Sequence, residues 1–144
     1  MLIQPGSTIA EIAANIYGAQ RTLGLDLIKE FNTHIENLNW ILAGQWLWLP
    51  PLSRETLIRP QPDGSYNLIL GTFRSAQQAE QLAQQARLKK YAVMVTPRRM
   101  SDNLMLYRVE LYRLESADAV HQAWDIASTN QWIVFPEHST GKRS

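Results

Sequence analysis

The side chains that could perform acid–base or metal chemistry are few and widely spaced in this sequence. There is no cysteine, which excludes a disulfide framework and a thiolate metal site. The histidines lack the spacing of a metal-binding helix; they are His34, His121 and His138. Ser7 and Thr8 follow a glycine, but their neighbours are not those of a phosphate loop or a nucleophile elbow. We therefore expect no catalytic residue, no metal, no cofactor and no enzyme activity.

Composition narrows the class of partner. The net charge of the 144 residues is +1, which argues against strong electrostatic attachment to nucleic acid or to an acidic membrane. No apolar run approaches the ~20 residues of a membrane-spanning helix, and the N-terminus shows no signal peptide. We expect a soluble fragment of a larger protein whose targeting segment lies upstream.

The sequence pattern of residues 1–51 predicts a small module with the order β-α-α-β. A capping box at 8–11 starts the first helix, and the apolar spacing over 23–31 predicts the second. Strands at 2–4 and 46–49 would pair with each other.

A second module should follow a Pro-rich segment at 52–65, which we interpret as a short, semi-rigid linker. The pattern of residues 66–136 predicts the order β-α-β-β-α-β, which is typical of a ferredoxin-like fold with both helices on one face of an antiparallel sheet. A polar, basic loop is expected at 97–103, the last strand at 132–135, and a flexible tail at 137–144. The predicted fold class is α+β.

The first module carries a set of short motifs in a fixed order. They are Pro5-Gly6-Ser7-Thr8-Ile9, Tyr17-Gly18, Asn32-Thr33-His34-Ile35 and the run from Leu42 to Pro50. This set, over residues 2–51, resembles the LysM family, although Ser7 stands where Asp is usual and Thr33 where Pro is usual. The resemblance implies that the module binds polymers of N-acetylglucosamine, such as peptidoglycan and chitin, in a shallow groove.

The LysM resemblance also implies where the groove lies, between the loop after the first strand and the loop after the second helix. By position it would be formed by Gly6, Ser7, Thr8, Ile9, Asn32, Thr33, His34 and Ile35. Loop backbone groups would pair with the sugar hydroxyl and amide groups, and Ile9 and Ile35 would contact the acetyl methyl group and the ring.

The second module carries a looser set of motifs, at Leu68 to Phe73, Ala79 to Ala83 and Tyr107 to Val109. These resemble the SPOR family over residues 64–135. That resemblance implies binding of glycan strands across an exposed sheet face. By strand alternation the face would present Asn67, Ile69, Arg108 and Glu110.

Trp46 and Trp48 alternate with leucines that should face the core, so both tryptophans are expected to point outward. We favour their contact with the second module, the linker or another copy over stacking on sugar. The basic pairs at 89–90 and 98–99 are interpreted as solvated charge, because the strands do not carry the RNP motifs of RNA-binding domains.

Together these features predict a non-catalytic peptidoglycan-binding region that anchors a larger bacterial envelope protein, in the periplasm or cell envelope. Its partner would be peptidoglycan or a chitin-like polymer, with other envelope proteins or self-association through Trp46 and Trp48 as further partners. The principal alternative is a protein-interaction or assembly module that has lost sugar binding. RNA binding through the exposed sheet is a second alternative.

Overall fold

The computed structural model describes residues 1–39 and 41–133. The helices are α1 (Ile9–Tyr17), α2 (Arg21–Phe31), α3 (Arg54–Leu57), α4 (Ala76–Leu88) and α5 (Ala117–Thr129), with a 3₁₀ turn at Gly18–Gln20. The strands are β1 (Ile58–Pro60), β2 (Tyr66–Phe73), β3 (Val93–Ser101) and β4 (Leu104–Leu114). The predicted α+β class is confirmed.

The first half of the chain, residues 1–51, contains the helices α1 and α2. The segment before α1 pairs with the segment that follows α2. Thr8 caps α1: its hydroxyl accepts a hydrogen bond from the Glu11 backbone, and the Glu11 carboxylate accepts one from Thr8 N. The two predicted strands are reduced to one antiparallel bridge between Leu2 and Trp46, with backbone hydrogen bonds on either side. The Tyr17 hydroxyl donates to Pro50 O at 2.6 Å, and burial raises the pKa of Tyr17 to about 12.

The second half, residues 52–133, is built on one antiparallel sheet with the strand order β1-β2-β4-β3. The segment 52–65, predicted as a linker, supplies α3 and the edge strand β1, in which Ile58 pairs with Leu68. Pro60 is tolerated there because one side of an edge strand needs no backbone donor. The predicted linker is therefore part of the fold.

Two other boundaries differ from the prediction. The basic loop expected at 97–103 is instead a continuation of β3 to Ser101, followed by a tight turn into β4. In the strand expected at 132–135, Trp132 and Ile133 are buried but not in a strand. Residues 134 and 135, and the predicted tail at 137–144, lie outside the described residues.

Helices α4 and α5 cover one face of the sheet. Each begins at a serine whose hydroxyl accepts a backbone hydrogen bond, Ser75 from Gln78 and Ser116 from Ala119. The buried residues of α4 are Ala79, Leu82, Ala83 and Ala86. The small residues on its buried face let α4 approach the sheet closely. The other faces of the helix carry mainly glutamine and charged side chains.

Helix α2 lies on the opposite face, so the two halves of the chain share their cores. Leu23 and Leu27 of α2 belong to the apolar cluster built around the sheet. Conversely, Met100 and Leu106 of the sheet belong to the apolar cluster of the first half. Leu38 N also donates to Met100 O at 2.9 Å. The two predicted modules therefore pack against each other through their interiors.

Candidate functional site

A buried group of charged side chains lies where α2 meets the sheet. Asp26 is fully buried, and its carboxylate accepts hydrogen bonds from Arg98 Nε at 2.8 Å and Arg108 Nε at 2.7 Å. The Thr72 hydroxyl donates a third at 2.7 Å. A buried charge is costly unless it is paired and hydrogen-bonded. The three donors satisfy that requirement, and they come from three different strands, β2, β3 and β4.

Glu30 lies one helical turn after Asp26 and extends the network. Arg59 of β1 donates two hydrogen bonds to the Glu30 carboxylate, both at 2.9 Å, and Arg108 donates at 2.9 and 3.4 Å. Burial alone would raise the pKa of Glu30, but the hydrogen bonds and charges of Arg59 and Arg108 outweigh it and lower the pKa to about 2. Burial would lower the pKa of Arg108, yet the Asp26 charge and the Glu30 hydrogen bond raise it. Every strand thus contributes a donor to the two carboxylates of α2.

This network corrects the expectation of an exposed sheet face. All four positions predicted to bind glycan on that face are buried: Asn67, Ile69, Arg108 and Glu110. Arg108 is held by α2, Ile69 belongs to the apolar cluster, and Glu110 accepts a hydrogen bond from Asn67 Nδ2 at 3.2 Å. Arg98, expected to be solvated, is likewise engaged, through its ion pair with Asp26.

An open hollow remains on this side of the sheet, next to Asn67. It has a volume of about 370 Å³ and is also lined by Met94, Tyr112, Arg113 and residues of the turn at 61–65. Met94 pairs with Glu110 across β3 and β4, so the hollow lies on the same face as the buried network. Of the four positions predicted to bind glycan on the sheet face, Asn67 is therefore the one that lines this hollow.

A cleft between the two halves, here called the junction cleft, includes part of the predicted LysM groove. Ser7, Thr8 and Ile9 line it together with Ala10. The other lining residues are Leu25, Leu38, Asn39 and Ile41 from the first half and Arg74, Ser101 and Leu104 from the second. Its volume is about 270 Å³, near the lower end of the roughly 300–1,000 Å³ of small-molecule sites. A cleft of that size suits a group as small as one sugar residue.

The polar groups of the junction cleft differ in their availability. Thr8 is committed to the cap of α1, because its hydroxyl and backbone N–H are both bonded to Glu11. The Ser7 hydroxyl, the Asn39 carboxamide and the Arg74 guanidinium make no hydrogen bond or ion pair with another described residue. These three groups are therefore the ones able to meet a ligand.

The remaining predicted groove positions lie elsewhere. Asn32 Nδ2 donates to Ile28 O at 2.7 Å and to Trp48 O at 2.9 Å, while its Oδ1 accepts from Trp48 N at 2.8 Å. Asn32 thus ties the end of α2 to the closing segment, and Ile35 is part of the first-half core. The exposed positions outside the cleft lining are Gly6, Thr33 and His34.

Eight lining residues of the junction cleft were not predicted from the sequence: Ala10, Leu25, Leu38, Asn39, Ile41, Arg74, Ser101 and Leu104. Leu38, Asn39 and Ile41 follow the segment assigned to the groove by a few residues, so a wider window after α2 would have included them. Arg74, Ser101 and Leu104 belong to the second half. The acidic residues of α2 and the arginines of the strands have opposite charges. That complementarity is a sequence signal from which the docking of the two halves could have been predicted.

The tryptophans of the closing segment point into solvent. Trp46 and Trp48 are each 70% exposed and Leu42 is 71% exposed, whereas Leu47 between the tryptophans is 1% exposed. The predicted alternation is confirmed, and most of the surface of both tryptophans remains open to solvent. Leu42, Trp46 and Trp48 are called the aromatic patch below.

Within the described part of the chain, no helix is long and apolar enough to cross a membrane. No cluster of three or more His, Asp or Glu side chains suited to a metal ion occurs among the same residues. No family model, curated protein or solved structure matches the chain.

Proposed function

We propose that the chain is a non-catalytic binder of N-acetylglucosamine-containing glycan that anchors a larger bacterial envelope protein to peptidoglycan. The observation that supports this is the junction cleft, in which Ser7, Thr8 and Ile9 line a hollow together with Leu38 and Asn39. In the LysM resemblance, the segment from 6 to 9 belongs to the sugar groove. The cleft lies on one side of that expected groove, shifted from 32–35 toward 38–41.

The lining of the junction cleft suits an N-acetylated sugar. The Ser7 hydroxyl and the Asn39 carboxamide both donate and accept, as sugar hydroxyl and acetamide groups require. Ile9 and Leu25 give an apolar surface for an acetyl methyl group. A cleft this small buries little area, so one sugar would be held weakly, and several copies in one assembly would raise the effective concentration.

Arg74 favours peptidoglycan over chitin. Its guanidinium is the one charged group in the lining of the junction cleft, and it has no carboxylate partner among the described residues. Peptidoglycan carries carboxylates, whereas chitin is neutral. An exposed ion pair is worth about 1 kcal/mol or less, which limits the preference to roughly fivefold.

Co-sedimentation with purified peptidoglycan sacculi tests the proposal. Ala10 and Asn15 are both exposed on α1, and Ala10 lines the junction cleft whereas Asn15 does not. We expect Ala10→Tyr to fill the cleft and weaken sedimentation, and Asn15→Tyr to sediment like the parent chain, with equal melting temperatures. Failure of the parent chain to sediment at low and moderate salt would refute glycan binding. Unchanged sedimentation of Ala10→Tyr would refute the junction cleft as the site.

A second candidate function, an assembly module, is favoured by the aromatic patch. Three large apolar side chains of the closing segment are about 70% exposed, and exposed apolar patches often mark protein-interaction sites. Sedimentation velocity of the parent chain and of Trp46→Ala/Trp48→Ala would decide this. A concentration-dependent oligomer that the double substitution converts to a monomer, together with no binding to sacculi, would favour assembly. If titration with chitotetraose changes the fluorescence of the parent chain but not of the variant, the tryptophans stack on sugar.

A further inference from the structure

A second cleft lies between α4, the end of β2 and the turn that follows α5, and has a volume of about 450 Å³. Six of its ten lining residues carry carboxamides: Gln20, Gln78, Gln81, Gln85, Asn130 and Gln131. The other four are apolar or aromatic: Leu70, Phe73, Leu82 and Trp132. The lining is thus neutral and rich in paired donors and acceptors. This feature is called the amide cleft.

The glutamines of α4 are sorted between two faces of the helix. Gln78, Gln81 and Gln85 are spaced i, i+3 and i+7, so they form one stripe, and all three line the amide cleft. Gln77 and Gln84 belong to the same helix but not to the lining. The chain therefore offers its own matched control for a role of these side chains.

Some carboxamides of the cleft build its wall, and others are available to a ligand. Gln85 Oε1 accepts from Trp132 Nε1 at 3.1 Å, and Trp132 packs edge-on against Tyr91 with ring centroids 6.3 Å apart. The indole is thereby fixed in place. The carboxamides of Gln78 and Gln81 are exposed and make no hydrogen bond with another described residue.

Gln131 adds a carboxamide to the cleft from the turn after α5, in a backbone conformation that Lys90 also adopts after α4. The φ of Gln131, +59°, lies in the left-handed region, which glycine adopts readily and other residues adopt at a cost in strain. The position directly follows α5 and its C-cap Asn130, where helices usually place glycine. A glutamine there keeps a carboxamide in the lining of the cleft that a glycine would remove.

We propose that the amide cleft binds uncharged sugar units in a second segment of the same N-acetylated glycan. A carboxamide carries donors and an acceptor without charge, which matches hydroxyl and acetamide groups and leaves a charged ligand unpaired. The ring of Phe73, which is partly exposed, offers an apolar surface for a sugar face. The identity of the ligand rests on the proposed function, but the position of this site does not.

Both clefts are lined by residues at the end of β2. Phe73 lines the amide cleft, and Arg74, the next residue, lines the junction cleft. Consecutive Cα atoms are about 3.8 Å apart, so the clefts flank the same strand end. Two weak sites on one polymer reinforce each other through effective concentration.

The experiment is a titration of the ¹⁵N-labelled full chain with chitotetraose, followed by NMR. The side-chain amide signals of glutamine report on the amide cleft, and the backbone signals of Leu38 and Asn39 report on the junction cleft. We expect shifts in the side-chain signals of Gln78 and Gln81. Gln78→Ala/Gln81→Ala should weaken binding at the amide cleft about tenfold, as the loss of two neutral hydrogen bonds implies. Gln77→Ala/Gln84→Ala should bind like the parent chain.

Each outcome separates this inference from the proposed function. Shifts at Gln78 and Gln81 that persist in Ala10→Tyr support an independent second site. Shifts confined to the junction cleft overturn the amide cleft and leave the proposed function standing. No shift at either cleft overturns both. Equal weakening by the two glutamine double substitutions would also overturn it, because it would show a loss of solvated surface and not of a site.

Discussion

Protonation of Glu30 should destabilise the folded chain in a defined pH window. The pKa of Glu30 falls from an ordinary 4.5 to about 2 in the folded state. Because the folded pKa is the lower one, the stabilisation is fully present above pH 4.5 and is lost as the pH falls through about 2. A pKa change of this size corresponds to roughly 3 kcal/mol, since each unit is worth about 1.4 kcal/mol. The side chain is 27% exposed, so solvent screening makes this an upper figure.

The substitution Glu30→Gln isolates the effect. Glutamine keeps the shape and one acceptor oxygen, but it removes the charge that Arg59 and Arg108 share. We expect the free energy of unfolding at neutral pH to fall by about 2–3 kcal/mol. Between pH 5 and pH 2 the variant should lose less stability than the parent chain. Urea unfolding followed by tryptophan fluorescence, repeated across this pH range, measures both quantities.

Glu80→Gln is the matched control for this experiment. Glu80 pairs with Arg87 on the exposed side of α4, and its side chain is 57% exposed. Pairs of that kind contribute about 0–1 kcal/mol, so its pH profile should follow that of the parent chain. If Glu30→Gln and the parent chain lose stability in parallel from pH 5 to pH 2, the reasoning is refuted and α2 is not held to the sheet by Glu30.

Three further substitutions test other contacts. Gly24→Ala should lower the free energy of unfolding by at least about 1–3 kcal/mol, because the added Cβ would lie 2.1 Å from Tyr17 Cδ2. A melting temperature equal to that of the parent chain would contradict this packing of α1 on α2. Asn32→Ala removes three hydrogen bonds of about 1 kcal/mol each. It should therefore lower the melting temperature, while the molecules that remain folded still bind sacculi. Loss of binding without a lower melting temperature would instead show that Asn32 contacts the sugar. Arg74→Gln should weaken binding to sacculi by up to about fivefold and make that binding less dependent on salt. Binding to chitin should be unchanged. An equal loss of binding to both polymers would contradict a role of Arg74 in recognising charge.

The sequence predicted the helices of this chain well because their signals are local. The cap of α1 at Thr8 and Glu11 and the serine that begins α4 each lie within one turn of the groups they bond. The same holds for the alternation around Leu47, which is buried between two exposed tryptophans. Such patterns need no knowledge of the rest of the fold.

The buried sheet face could not be predicted in the same way. Arg108 and Glu110 alternate with apolar residues along β4, a pattern that is typical of a strand with one solvated face. What covers that face is α2, whose Leu23, Asp26, Leu27 and Glu30 recur at i, i+3, i+4 and i+7 on one stripe. The Asp26 carboxylate and the Arg108 guanidinium are 82 residues apart in the chain. Nothing local connects them, so Arg108 was predicted to lie on an exposed sheet face.

The strand at the sheet edge was missed for a different reason. Ile58–Pro60 is three residues long and ends in proline, and prolines before and after it favour a linker. An edge strand pairs on one side alone, so a short segment with a proline suffices to complete a sheet. The pairing with β2 decides the structure of this segment, and propensity does not.

The docking of the two halves changes what the unit of function is. The junction cleft takes Ser7 and Asn39 from the first half and Arg74 from the second, so neither half contains it alone. Met100 and Leu106 complete the core of the first half, and the charges of α2 have their partners in the sheet. Separating the halves would leave Asp26 without the arginines that offset the cost of burying it. The proposed glycan binding at the junction cleft therefore requires the docked pair, and we expect a fragment of residues 1–51 to lose stability and binding together.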